Sequence, residues 1–268
     1  MKKIYTTKEV FTLDNFNNPF RNNHQPENYN LSEYFRKVYS QHGEDGLLEY
    51  LYSKIKPRHK YYVEFGARSG NGIENTHNLR VNCGWTGLLM EGNETNVARS
   101  NGLCNLEWIN SQNIMSLFEK YEVPEDFDFL SIDIDSDDVY VFDAIDFKKY
   151  KPSVVICEYN PGIPNHLPLA IEEGKSDYGK DYHEPKNSYF PMYHGCNIHA
   201  WYVAAKKNGY SIITTCGVNV VMVRDDYKDL FDIPSLDDIV VSPYFVKELD
   251  RYNKQKDLDE KYKWILFE

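Results

Sequence analysis

Five short apolar runs punctuate the first part of this chain: YYVEFG (61–66), TGLLMEG (86–92), LEWIN (106–110), FDFLSIDID (127–135) and PSVVICEYN (152–160). Segments compatible with helices separate them: IENTHNLRVNCG, closed by Gly84, then NETNVARSN, SLFEKY and DVYVFDAI. Short apolar strands alternating with helices predict a mostly parallel sheet covered on both faces. Upstream, Leu47, Leu48, Leu51 and Ile55 have helical spacing, interrupted near Gly43 and Gly46. Downstream, 196–210 reads as a helix closed near Gly209, and SIITT and NVVMVR form two strands joined by a tight link at Cys216 and Gly217. The expected organisation is one domain over 1–268. It has an N-terminal arm (1–35), a core (36–225) and a charged, partly helical C-terminal extension (226–268). Within the core, 161–192 is long and rich in Pro, Gly, His and Tyr, as expected of a substrate lid.

The chain has 268 residues, enough for a large α/β domain. Its net charge of −11 makes a nucleic-acid backbone an unsuitable partner, because an acidic surface repels phosphates. No run of eighteen apolar residues exists, so no membrane span is expected. The start, MKKIYTTKEVFTLDNF, lacks the apolar stretch of a secretion signal. The five cysteines form no CxxC pair and are odd in number, which suits reduced thiols in a cytoplasmic protein.

The first candidate site is YYVEFGARSGNG (61–72). A turn needs one glycine, and this one follows Glu64 with Gly66, Gly70 and Gly72, plus Ala67 and Ser69. Such a surplus implies close approach to the backbone by a cofactor, a phosphate or a packed helix. Ligands of open parallel sheets bind outside the carboxyl ends of the strands, where this loop lies. The spacing is not GxGxxG, which disfavours a nicotinamide dinucleotide. The second run ends in Glu91, placed to accept hydrogen bonds from two ribose hydroxyls. The bland alternatives are that Glu64 caps a helix and that Glu91 faces solvent.

SQHGEDG (40–46), VEFGARSGNGIENTHNL (63–79), GWTGLLMEGN (84–93), FLSIDIDSDD (129–138) and VNVVMVR (218–224) together resemble, in order and spacing, the FkbM-like class I S-adenosylmethionine-dependent methyltransferases. Many of these methylate sugar hydroxyls in polysaccharide or antibiotic pathways. The resemblance covers roughly residues 38–225. It implies a Rossmann-like, seven-stranded, mostly parallel sheet with the last strand antiparallel and helices on both faces. It further implies that Glu64, Gly66, Ala67 and Gly70 cradle the methionine part of the cofactor, that Glu91 binds its ribose, and that Asn110 or Ser111 lies near the adenine.

A second site is a set of acids and amides. Alternation along a strand turns Asp133 and Asp135 to one face, and likewise Glu158 and Asn160 on the next strand. Carboxylates packed together repel unless protonated, hydrogen-bonded or neutralised by a cation. An all-oxygen set suits Mg²⁺ or Mn²⁺, giving Asp133, Glu158 and Asn160 as metal ligands, with Asp133 also bordering the cofactor. Asp137 and Asp138 read as N-terminal residues of the following helix. The candidate general bases are Asp135 and a histidine among His166, His183, His194 and His199, with His194 preferred for its place before a helix.

The resulting expectation is a metal-assisted S-adenosylmethionine-dependent O-methyltransferase acting on a sugar or nucleotide-linked sugar, with a homodimer allowed. Two readings compete with it. DID also fits the Asp-x-Asp signature of metal-dependent glycosyltransferases, and a non-catalytic Rossmann-like scaffold would bind no cofactor tightly.

Overall fold

The computed structural model describes residues 3–6, 9, 30–176, 193–240 and 263–268. The apolar runs become strands wherever both faces are covered. In chain order the elements are β1 (Ile4–Thr6), α1 (Glu44–Ile55), β2 (Tyr61–Phe65), α2 (His77–Asn82), β3 (Thr86–Glu91), α3 (Glu94–Arg99), β4 (Cys104–Leu106) and α4 (Ile114–Lys120). They continue with β5 (Phe129–Ile132), α5 (Asp138–Ala144), β6 (Val154–Glu158), β7 (Leu169–Ile171), α6 (Ile198–Lys207), β8 (Tyr210–Cys216), β9 (Asn219–Arg224) and β10 (Lys263–Leu266).

Seven strands form one sheet in the order β4-β3-β2-β5-β6-β9-β8. Neighbours from β4 through β6 are parallel, whereas β9 runs antiparallel to both β6 and β8. The order reverses direction at β2, so the crevice between β2 and β5 is the switch point at which such sheets take ligands. Here the expected Rossmann-like architecture, mostly parallel with its last strand antiparallel, is observed.

Strand alternation divides the core in two. Val63, Phe65, Leu130, Ile132, Val155, Cys157, Val220 and Met222 pack with Phe118 of α4, Phe142 of α5 and Trp201 of α6. Tyr62, Leu89, Phe129, Val154, Ile156, Val221 and Val223 pack on the other face with Leu47, Leu48 and Leu51 of α1. Continuing that alternation upward puts Glu64, Glu91, Ser131, Glu158 and Asn219 on the α1 side of the sheet, at its rim.

Two boundaries differ from the sequence reading. The third strand ends at Leu106 instead of running over 106–110. The side chain of Asn110 accepts from the amides of Gln112 and Asn113 and makes a turn into α4, which takes these residues out of the ladder. The fourth strand ends at Ile132, because the Asp138 carboxylate collects the amides of Ile134 and Ser136 and folds the chain over.

The ends of the described chain meet. A second sheet, ordered β1-β10-β7, joins the arm, the C-terminal extension and the segment expected to be a lid. Residues 169–171 of that segment are a buried strand, so this stretch is part of the core, and 177–192 lie outside the described residues. All five cysteines are free. No helix among the described residues is long and apolar enough to cross a membrane.

Candidate active site at the carboxyl ends of the parallel strands

The loop after β2 answers the question posed by its glycines. Gly66 has φ +68°, and a Cβ there would stand 1.6 Å from the carbonyl oxygen of Asp133. Gly70, at φ +71°, lies against the Leu89 and Cys104 side chains. These glycines therefore let the loop pack against β3, β4 and the end of β5. The Ala67 amide donates to the Met90 carbonyl at 3.1 Å, closing the same contact.

Glu64 is buried and accepts from the Asn75 amide at 2.9 Å, the Thr76 amide at 3.3 Å and the Thr76 hydroxyl. It thus anchors the entry to α2, the bland alternative weighed above. Burial pushes its carboxyl up to about 7 despite these donors. Glu91 sits at the tip of β3, its Oε2 accepting from the Arg68 amide and its Oε1 from the Asn93 amide, both at 2.7 Å. It faces the rim instead of open solvent, and each oxygen keeps a second acceptor site. Asn110 makes the turn that leads into α4, and the Ser111 hydroxyl donates to Glu173.

Asp133, Asp135 and Glu158 form one group in which an oxygen from each lies within 4.8 Å of the others. Strand parity does not bring the aspartates there, because both lie beyond the end of β5. A turn with Asp135 at φ +60° swings them together instead. Burial, then the neighbouring carboxylates, push Asp133 and Glu158 well above the usual range. Asp138, one layer below, is raised to about 7 mainly by burial. Asp137 and Asp138 open α5 as expected, and Asp137 also accepts from the Gly174 amide at 3.0 Å.

Asn160, expected as a third oxygen ligand, lies just past the end of β6 with its side-chain amide engaged. Its Nδ2 donates to the His194 carbonyl at 3.0 Å and its Oδ1 accepts from the Gly162 amide, so it holds the turn after β6. The His194 ring is buried, which lowers its pKa to about 4 and leaves a weak base. His199 sits in α6 with its ring against the Asn165 carbonyl, and His183 lies outside the described residues.

Three features escaped the sequence reading. In SQHGEDG, Asp45 Oδ2 accepts from the amides of Val38, Tyr39 and Ser40, and Glu44 binds Asn219 and the amides of His42 and Gly43. Asp45 fastens the chain ahead of α1 to the start of that helix and Glu44 fastens the same start to Asn219 at the sheet rim, a role hinted at by their position in the first turn of a helix. Trp108 is 77% exposed and lies against Gly92, immediately after Glu91. Arg68 stands in the glycine loop as its one basic residue.

No protein-family model matches the sequence, and no curated protein matches it either. Solved structures do resemble it, at low identity. One is an S-adenosylmethionine-dependent methyltransferase from Clostridium acetobutylicum ATCC 824, with 12% identity over 68% of this chain and 89% of that one, at a TM-score of 0.40. Another is the CurJ carbon methyltransferase, with 10% identity, 67% and 52% coverage and a TM-score of 0.41, so the match spans about half of that protein. A third is the glycopeptide N-methyltransferase MtfA, solved with S-adenosylmethionine, with 13% identity, 69% and 94% coverage and a TM-score of 0.38.

Proposed function

We propose that this chain is an S-adenosylmethionine-dependent O-methyltransferase acting on a hydroxyl of a carbohydrate or nucleotide-linked sugar. The observation that carries the reading is a juxtaposition: the Glu91 tip and its glycine loop adjoin the acidic group of Asp133, Asp135 and Glu158. The first suits a nucleoside, with Glu91 taking the ribose hydroxyls and exposed Trp108 offering a flat face to the purine. The second suits a hydroxyl that must lose its proton. The acceptor class rests on the sequence resemblance.

In the reaction the acceptor oxygen attacks the sulfonium methyl in line, the S–CH₃ bond breaks and the O–CH₃ bond forms. Asp135 takes the hydroxyl proton, since it stands in the acidic group itself, whereas the His194 ring is buried. Three carboxylates with oxygens this close, of which Asp133 and Glu158 are pushed well above the usual range by burial and then by their neighbours, would suit a hard divalent cation such as Mg²⁺ or Mn²⁺ held by Asp133 and Glu158, with Asp135 beside it as the base. When bound, such an ion lowers the pKa of the hydroxyl beside it. Asp133 and Glu158 also orient the acceptor oxygens toward the methyl.

Calorimetric titration with S-adenosylhomocysteine tests the reading. Glu91→Ala should weaken binding by about 1.5–3 kcal/mol, the scale of charge-assisted hydrogen bonds. Chelation should spare that binding and abolish methyl transfer to nucleotide sugars. Unchanged affinity in a folded Glu91→Ala protein would overturn the cofactor site. Binding of nucleotide sugars in place of S-adenosylhomocysteine would favour the glycosyltransferase reading.

A further inference from the structure

We propose that Arg68 is the anion anchor of this site and holds the α-carboxylate at the amino-acid end of S-adenosylmethionine, an inference that rests on the cofactor reading above. The loop fixes the position of Arg68 from both sides. Its amide donates to Glu91 Oε2 at 2.7 Å, which ties it to the tip of β3. Two residues earlier, Gly66 lies against the Asp133 carbonyl, which ties the same loop to the end of β5. Arg68 is therefore held between the proposed ribose contact and the acidic group.

Its side chain is exposed, and the guanidinium makes no hydrogen bond or ion pair with any described residue. The surroundings are of the opposite sign: Glu64, Glu91, Asp133, Asp135 and Glu158 line the rim.

The amino-acid end of the cofactor is a zwitterion. Its ammonium finds several carboxylates at this rim, whereas its carboxylate needs amide donors or a cation. The loop's amides are largely engaged within the chain. Ala67 N donates to Met90, Arg68 N to Glu91, Gly70 N to Ala67 and Gly72 N to Glu74. The guanidinium is the charged donor of the loop, and its planar fork matches a carboxylate. The backbone at Arg68 is left-handed, with φ +46°, a conformation in which glycine would be more comfortable. A side chain kept at such a position is consistent with a use outside the protein.

The test compares two ligands on the full chain by calorimetry. S-adenosylhomocysteine has the amino-acid end, and 5′-methylthioadenosine keeps the nucleoside and thioether without it. Arg68→Ala should lower S-adenosylhomocysteine affinity by about tenfold or more, as for loss of a bidentate charged pair, and leave 5′-methylthioadenosine affinity unchanged. Arg68→Lys should fall between. Arg68→Gly should lose the same affinity with a melting temperature equal to or above the parent's, a result that a merely structural arginine would not give. Equal loss for both ligands, or no loss for S-adenosylhomocysteine, would overturn the assignment. Failure of the unsubstituted chain to bind S-adenosylhomocysteine would instead overturn the cofactor reading, and this inference with it.

Discussion

Glu64 shows how one side chain can be legible in identity and illegible in direction. An acid at the end of the first core strand is plain in YYVEFG, yet its carboxylate turns toward Asn75 and Thr76 and anchors α2. Which way it turns depends on how the loop folds back, and that depends on contacts with the Asp133 backbone some seventy residues away. Burial makes this carboxyl a pH-dependent element. Its pKa in the folded protein, about 7, lies above the ordinary 4.5, so the folded state binds more protons between those values. Its contribution to stability is therefore complete below about pH 4.5 and is lost as pH rises through 7. His194 has the opposite sign: lowered from 6.5 to about 4, it favours the folded state as pH rises through that window. A whole-protein pH profile thus blurs the two, and a single-site comparison separates them. Glu64→Gln mimics the protonated carboxyl. Urea unfolding at pH 5 and pH 8 should show the parent losing about 2–3 kcal/mol relative to this variant. Parallel profiles would mean that Glu64 titrates normally.

At the scale of elements, the strand ends carry the site, and they were the least readable part of the sequence. Strands and helices followed from apolar periodicity, because each is a local pattern repeated over several residues. LEWIN and the second half of FDFLSIDID read as strand as well, but the side chains of Asn110 and, just beyond the second run, Asp138 capture backbone amides and turn the chain. Asp133 and Asp135 still meet Glu158, through a turn that parity arguments do not contain. Gly66 supplies the test of this packing. A methyl group at 1.6 Å from the Asp133 carbonyl, on a backbone at φ +68°, cannot be accommodated without moving β2 from β5. Gly84 has nearly the same φ, +69°, with nothing within 4 Å of its would-be Cβ. Gly84→Ala should cost about 1–2 kcal/mol, the left-handed term alone. Gly66→Ala should cost at least about 3 kcal/mol, since the clash adds to it. Equal melting points for the two variants would contradict the close approach of the two strand ends.

At the scale of the whole molecule, the chain ends are stitched together beside the acidic rim. Pairing of Ile4 with Ile265, and of Ile265 with Ala170, joins segments far apart in the chain, which no local pattern announces. The small sheet has a cluster of its own, in which Trp264 packs edge-on to Tyr193 with Ile163, Leu169 and Ile171. Beyond β7 the chain passes directly to the rim. The Glu172 amide donates to the Tyr193 hydroxyl, the Gly174 amide to Asp137, and Glu173 accepts from Ser111. The C-terminal strand thereby supports the turn that borders Asp135, where the Ser176 hydroxyl reaches the Asp135 carbonyl at 3.5 Å. Because this cluster is separate from the two that sandwich the main sheet, it can open without them. Trp264→Ala should remove about 3–5 kcal/mol of packing from the small sheet. Hydrogen exchange should then quicken at the Ile171, Glu172 and Gly174 amides and stay slow in β2 and β5. Methyl transfer should fall through loss of the bordering turn while S-adenosylhomocysteine binding at Glu91 persists. Uniformly faster exchange through β2 and β5 would show instead that the small sheet and the main sheet unfold as one unit.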